Sequence, residues 1–211
     1  MPRSSHAEPG SHYARPAAAV GGGPLAYPFV ESPNFTPASR RAIDVVVMHT
    51  MEIAERSDAA EICARWFRTK VSQVSAHYCV DADSVIQCVE EKDIAWHARG
   101  GNTNSIGVEL AGFASQTPRD WKDRYSTAVL TRASTLVADV CRRRRVPVRW
   151  LVADDLVAGR RGLTGHSEVS EAFKRSDHWD PGDGFPVDAF LDEVRKAQQA
   201  QRRAARARTK V

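Results

Sequence analysis

The sequence has no apolar run that approaches the ~18 residues of a membrane span. It also lacks the charged start and continuous apolar core of a secretory signal, because its first 23 residues are rich in proline, glycine, serine and alanine. We therefore predict a flexible leader over residues 1–23. The route by which the protein reaches its place of action stays open.

Cysteine is scarce and never closely paired. The four cysteines, Cys63, Cys79, Cys88 and Cys141, form no CxxC pair, which argues against a zinc finger or a dithiol redox site. Cys79 and Cys88 lie on either side of a predicted hairpin turn. A disulfide between them is one interpretation, and buried free thiols are the favoured one.

Acidic residues are missing from one end of the chain. Residues 195–211 contain seven basic residues and no acidic one. Because the whole chain carries a net charge of +4, the remaining residues 1–194 carry −3. A basic surface over the whole protein is therefore absent, and we predict no nucleic-acid partner. We treat residues 195–211 as a basic C-terminal tail.

Strand and helix patterns alternate along residues 24–194 without internal repeats. Ile43–His49 is β-branched and apolar without alternation, which predicts a central strand covered on both faces. The apolar stripe of Tyr125–Arg144 predicts the longest helix, and a final helix is predicted over Pro186–Gln199. Together these patterns predict one α/β domain, with a mixed central β-sheet flanked by helices on both faces.

Shorter elements are predicted from local patterns. They are a helix over Asp58–Thr69, hairpin strands over Ser75–Val80 and Val85–Val89, a solvated turn over Glu90–Asp93 and a last strand over Leu163–His166. Asp58 with Glu61 resembles a capping box at the start of that helix. Its buried apolar face is expected to include Trp66 and Phe67.

Imidazole and carboxylate groups recur where predicted strands and turns end. His49 ends the first central strand, His166 ends the last, and Asp180 opens an Asp-Pro-Gly turn. Two imidazoles and a carboxylate are an ordinary zinc ligand set that leaves one position for water. Each has a simpler explanation alone, since a histidine at a strand end is more often structural and Asp-Pro-Gly is common in turns.

Glu109 interrupts the small and apolar face of a strand predicted over Ser105–Ala111. An inward-facing carboxylate costs free energy unless it is paired or near a cation. Glu109 is therefore either a general base beside a metal site or a residue on an exposed sheet edge.

Six short motifs follow one another along the chain. They are the strand ending in His49, Val74–Tyr78, Ala95–His97, Asn104–Gly112, Gly165–Ser167 and Asp180–Gly182. In this order they resemble the type-2, zinc-dependent N-acetylmuramoyl-L-alanine amidase family, whose fold is shared by amidase-type phage lysozymes and peptidoglycan-recognition proteins. The resemblance covers roughly residues 44–186, and we assign residues 24–194 to the zinc amidase domain.

The resemblance implies hydrolysis of the amide bond between N-acetylmuramic acid and L-alanine in bacterial peptidoglycan. It implies Zn²⁺ held by His49, His166 and Asp180, with Glu109 as the acidic catalytic residue. His178 stands where many relatives carry a lysine, and we assign it to the stabilisation of the oxyanion.

Other positions concern the substrate. Trp96, His97 and Asn104 lie in motifs of the resemblance and are predicted to bind substrate. Ala76 stands where some relatives carry a catalytic tyrosine, so the tyrosine variant of the mechanism is excluded at that position.

The alternatives are a noncatalytic peptidoglycan-binding module and a zinc peptidase that cuts within the stem peptide. The biological setting is equally open among a phage lysin, an exported enzyme and a cytoplasmic recycling enzyme. The basic tail is either a frayed helix end or an electrostatic contact with anionic cell-wall polymer or membrane.

Overall fold

The computed structural model describes residues 26–208, so the predicted leader 1–23 lies outside the described residues. In chain order the strands are β1 (Phe35–Thr36), β2 (Val45–Thr50), β3 (Tyr78–Val80), β4 (Val85–Gln87), β5 (Ile94–Ala95), β6 (Ser105–Leu110) and β7 (Gly162–Gly165). Five of them form the central sheet in the order β4-β3-β6-β2-β7, and β1 pairs with β5. Only the hairpin pair β3–β4 is antiparallel in the central sheet, which confirms the predicted mixed sheet.

Helices cover both faces of this sheet, as predicted. They are α1 (Ala59–Phe67), α2 (Arg124–Arg144), α3 (Ala153–Val157), α4 (His166–Phe173) and α5 (Val187–Arg208). The even positions of β2, Val46 and Met48, pack with α2 and α5, whereas Val45 and Val47 pack with α3 and α4. Within the described residues, no helix is long and apolar enough to cross a membrane.

Helix α5 differs from the prediction in length. It has 22 residues against 21 in α2, so the prediction that α2 is the longest helix was wrong. Its second half is rich in alanine, glutamine and arginine, which favour helix. Gln198 and Gln201 also donate hydrogen bonds to carbonyl groups of α2. The domain boundary at residue 195 stays a prediction, although the helix continues through it.

The predicted capping box of α1 is absent. The Asp58 side chain pairs with Arg56 instead of capping the helix. The N–H of Ala60 donates to Asp81 Oδ2 at 3.0 Å, so a carboxylate from the β3–β4 turn caps the helix. Trp66 is 51% exposed, contrary to the predicted buried face, whereas Phe67 is buried as expected.

The predicted solvated turn at Glu90–Asp93 is partly buried. Glu91 accepts hydrogen bonds from the guanidinium groups of Arg143 and Arg144 on α2. Burial alone would raise the pKa of Glu91, but these two arginines outweigh it and hold the pKa at about 2. The sequence did not reveal this ion pair because its partners lie more than 50 residues away in the chain.

His77 and the four cysteines are buried in the structure. His77 is fully buried, and its Nδ1 accepts the N–H of Gly107 at 3.0 Å. Burial, with the Arg41 guanidinium nearby, lowers the pKa of His77 to about 3. The Sγ atoms of Cys79 and Cys88 lie 3.8 Å apart and are free thiols, as favoured, because a disulfide requires about 2.05 Å.

Candidate metal centre and its cleft

The site begins at the carboxyl ends of two central strands. β2 and β6 run parallel, and their register places His49 opposite Glu109. Partners in register on adjacent strands point to the same face of a sheet. The two side chains therefore share one face at the edge where α/β sheets tend to place their sites.

His166 reaches the same edge in a way that the sequence did not indicate. We predicted that it ends a strand, but β7 stops at Gly165 and His166 is the first residue of α4. The N–H of Ser167 in the first turn of α4 donates to the carbonyl oxygen of Asp180 at 3.0 Å. This bond ties the Asp180 turn to the start of the helix.

The turn after Asp180 is held against the domain. Gly182 has φ +85°, and a Cβ at this position would lie 1.9 Å from the carbonyl oxygen of Ala114. Only glycine fits this conformation and this close approach. The turn can therefore pack tightly and place the Asp180 carboxylate between the two histidines.

The structure brings the three predicted metal ligands together. One ligand atom each from His49, His166 and Asp180 lies within 4.8 Å of the others, and all three residues are buried. Asp180 Oδ2 lies 2.9 Å from His49 Nδ1, and Asp180 Oδ1 lies 3.2 Å from His166 Nδ1. Ligand atoms of a tetrahedral zinc site lie roughly 3.3 Å apart. The donor types suit zinc, and their spacing allows them to share one cation.

The charges of the centre also favour a cation. Burial alone would raise the pKa of Asp180, but the two histidines beside it outweigh this effect and hold the pKa well below its usual range. Burial lowers the pKa of His166, which favours the neutral imidazole that metals bind. The centre thus offers an ionised carboxylate beside neutral imidazole.

Glu109 lines the cleft next to this centre. Burial raises the pKa of Glu109 well above its usual range, and the negative charges of Asp180 and Glu52 raise it further. Within residues 26–208 no salt bridge involves Glu109. A cation bound by the three predicted ligands would offset the cost of ionising the buried Glu109 carboxyl group.

His178 lies at the mouth of the centre and outside the ligand set. Its ring stacks on His166 with centroids 4.5 Å apart and an interplanar angle of 12°. Its Nδ1 lies 3.6 Å from Asp180 Oδ1, and its side chain is 63% exposed. It can therefore face a bound substrate, and its role at the oxyanion stays a prediction.

The three predicted substrate-binding residues differ in their position relative to the cleft. Trp96 lines the cleft and is partly exposed. His97 also lines it but lies beneath His49, with its Nδ1 3.0 Å from His49 Nε2. Asn104 does not reach the cleft. It lies beside Asp44 at the amino end of β2, roughly 17 Å from the carboxyl end at 3.3 Å per strand residue.

The cleft has two branches that meet at Trp96, His97, His166 and His178. One branch carries the basic side chains of Lys70, Arg99 and Arg175. The other is walled by aromatic and apolar side chains, including Trp66 and Trp179. The sequence did not predict Lys70, Arg175, Trp66 and Trp179 as part of the site. Trp66 was detectable only as an aromatic residue at the border of the apolar stripe of α1.

Together, the fold and the cleft define the class of protein: an α/β enzyme with a hydrolytic centre suited to a divalent metal. The family model described as N-acetylmuramoyl-L-alanine amidase matches residues 39–183. The chain therefore belongs to the N-acetylmuramoyl-L-alanine amidase family and is an amidase that acts on peptidoglycan. It is 31% identical over 176 residues to N-acetylmuramoyl-L-alanine amidase A of Achromobacter lyticus, covering 77% of this chain and 89% of the relative.

Solved structures agree on the fold. The hydrolase AmiA of Staphylococcus aureus, solved with its ligand, superposes with a TM-score of 0.63 at 16% identity, covering 83% of this chain and 84% of AmiA. AmpD superposes with a TM-score of 0.57 at 19% identity, covering 80% and 94%. The catalytic domain of XlyA gives 0.54 at 19%, covering 81% and 99%. These likenesses confirm the predicted fold.

Proposed function

We propose that this amidase is zinc-dependent and hydrolyses the amide bond between the lactyl group of N-acetylmuramic acid and L-alanine. The observation that supports this proposal is the convergence of His49, His166 and Asp180 beside Glu109 in one cleft. Two imidazoles and a carboxylate form a catalytic zinc set with a free fourth position, which a noncatalytic binding module has no need to keep.

The residues of the chain divide the chemistry between them. When bound, zinc supplies a Lewis acid that polarises the amide carbonyl and lowers the pKa of water. Glu109 takes the proton from the attacking water and delivers it to the leaving nitrogen of L-alanine. His178 faces the cleft and donates a hydrogen bond to the oxyanion as it forms.

The two branches of the cleft suit the two parts of this substrate. Exposed tryptophans such as Trp66 and Trp179 offer flat apolar surfaces against which a sugar ring can pack. Lys70, Arg99 and Arg175 offer positive charge to the carboxylates of a stem peptide. We place the glycan in the aromatic branch and the peptide in the basic branch, with the scissile amide where they meet.

The proposal predicts both the product and its dependence on metal. Peptidoglycan digested by the protein should yield a free lactyl carboxylate and a peptide with an L-alanine amino terminus, which mass spectrometry distinguishes. A chelator should abolish these products, and added Zn²⁺ should restore them. A new end within the stem peptide would identify a peptidase instead, and unchanged digestion after the metal is removed would refute the zinc dependence.

We also propose that the exposed end of α5 binds an anionic cell-wall polymer. Arg202, Arg203 and Arg206 are exposed, and among the described residues none of them forms a salt bridge, whereas Arg195 and Lys196 pair with Asp192 and Glu193. The stretch from residue 199 to 208 has no apolar side chain larger than alanine. Because insertion into a membrane interface needs such side chains, this helix end favours a polymer over a lipid surface.

Replacing Arg202, Arg203 and Arg206 together by glutamine should weaken binding to purified cell walls and flatten its salt dependence. The double variant Arg195→Gln/Lys196→Gln removes basic residues that are already paired, so it is the matched control and should bind more tightly than the triple variant. Cosedimentation with walls, with stripped walls and with anionic vesicles measures the effect. Wild-type wall binding by the triple variant, or binding to vesicles alone, contradicts the proposal.

A further inference from the structure

We infer that His97 is a positioning residue that fixes the tautomer of His49, so that His49 Nδ1 is the atom offered to the metal. His97 was expected to bind substrate, but its closest polar contact is a metal ligand: its Nδ1 lies 3.0 Å from His49 Nε2. The inference rests on the proposed metal centre, and it concerns which nitrogen of His49 carries the hydrogen.

The ring of His97 packs directly against Gly107 of strand β6. A Cβ at Gly107 on β6 would lie 2.6 Å from the Cγ of His97, so only glycine lets the ring lie here. The loop that carries His97 is fixed as well. Asn102 Oδ1 accepts the backbone N–H groups of His97 and Ala98 at 3.1 and 2.6 Å. The ring therefore has a defined place beneath His49.

Ser105, which contacts the Nε2 atom of His97, determines which ring nitrogen of His97 carries the hydrogen. The Ser105 hydroxyl donates to the carbonyl oxygen of Gly101 at 2.6 Å. A hydroxyl has only one hydrogen, so toward His97 Nε2, 3.1 Å away, Ser105 Oγ can only accept. His97 Nε2 therefore carries the hydrogen, and in a neutral imidazole His97 Nδ1 is then the acceptor.

The same assignment of donor and acceptor nitrogens applies to His49. Because His97 Nδ1 accepts, His49 Nε2 carries the hydrogen and donates it. His49 Nδ1 is then left with its lone pair, 2.9 Å from the carboxylate oxygen Oδ2 of Asp180. A buried carboxylate that receives no hydrogen from this imidazole favours a cation beside it.

The series of hydrogen bonds from Gly101 through Ser105 and His97 thus holds His49 in the tautomer that binds a metal. In the opposite tautomer, His49 Nδ1–H would donate to Asp180 and satisfy the carboxylate without a metal. Hydrogen bonds from a ligand histidine to an outer partner commonly set its tautomer and orientation in this way. Here the outer partner is a second histidine, which a serine hydroxyl orients in turn.

Three variants test this inference. His97→Phe keeps a ring over Gly107 but removes both nitrogens, and Ser105→Ala leaves His97 in place without its acceptor. Thr103→Ala changes an exposed side chain in the same loop and is the control. By chelator competition, Zn²⁺ affinity should fall roughly 10- to 100-fold in His97→Phe, fall less in Ser105→Ala and stay unchanged in Thr103→Ala.

Nitrogen-15 NMR of the histidine rings gives a readout that is independent of activity. In the wild-type protein without metal, His49 and His97 should both carry hydrogen on Nε2, and in Ser105→Ala this preference should weaken. A hydrogen on His49 Nδ1 in the wild type, or wild-type zinc affinity in His97→Phe, would overturn the inference. If the wild type binds no zinc, the proposed function fails, and the NMR result still decides the tautomer.

Discussion

Replacing Asp180 by alanine is expected to remove zinc from the protein and to lower kcat/KM for muropeptides by roughly 10³-fold or more, because the proposed zinc would supply the Lewis acid of the reaction. Asp180 is the proposed ligand that lies between the two histidines. Its two carboxylate oxygens face His49 and His166 separately, at 2.9 and 3.2 Å. Without the carboxylate, the centre keeps two imidazole donors and loses the ligand charge that balances a divalent cation.

Zinc content measured by mass spectrometry, together with hydrolysis of a purified muropeptide, checks this expectation. Asp183→Ala is the matched control, because it removes an exposed carboxylate only three residues further along the chain. The control should keep both zinc and activity. An Asp180→Ala protein that retained stoichiometric zinc and most of its activity would remove Asp180 from the ligand set.

Glu109→Gln should separate metal binding from turnover. Glutamine keeps the size of the side chain but cannot accept a proton, and the loss of a general base typically costs 10²- to 10⁴-fold in rate. We expect kcat to fall by about 10³-fold while zinc stays bound, since Glu109 is not among the three clustered ligands. Burial and the neighbouring carboxylates raise the pKa of Glu109, which moves it toward the range useful to a base near neutral pH.

Single-turnover kinetics and zinc analysis of the same Glu109→Gln preparation test this role. His178→Ala is the informative comparison, because His178 also faces the cleft but is assigned to the oxyanion rather than to proton transfer, and alanine has no side-chain donor. Removal of an oxyanion donor costs on the order of 10²-fold, so His178→Ala should retain more activity than Glu109→Gln. Wild-type turnover in Glu109→Gln would exclude Glu109 as the base, and wild-type turnover in His178→Ala would exclude the oxyanion role.

The fold was predictable where a local pattern matched the packing of the native structure. The unalternating apolar run before His49 became β2, a strand buried between two parallel neighbours. The stripe of Tyr125–Arg144 became α2, whose apolar side faces the sheet. Such segments succeed because their periodicity reports burial directly.

Local patterns failed where a distant group supplied the partner. The start of α1 is capped by Asp81 from the hairpin rather than by Asp58. Glu91 is charged and lies in a turn, yet arginines of α2 bury it. Asn104 belongs to a motif that reaches the site, but it precedes β6 at the end of the sheet away from the cleft. For α1 and Glu91, the deciding contact is absent from the neighbouring sequence.

The sequence by itself determined the chemical groups of the centre and their order: two imidazoles, a carboxylate ligand and a second carboxylate, each at the end of a predicted element or on a strand. Only the tertiary structure decided how they meet. His49 and Asp180 are 131 residues apart in the chain, and parallel strand register together with the Asp180 turn brings them within 2.9 Å. The fold also places His97, an expected substrate contact, against His49, because the glycine at position 107 leaves room for the His97 ring.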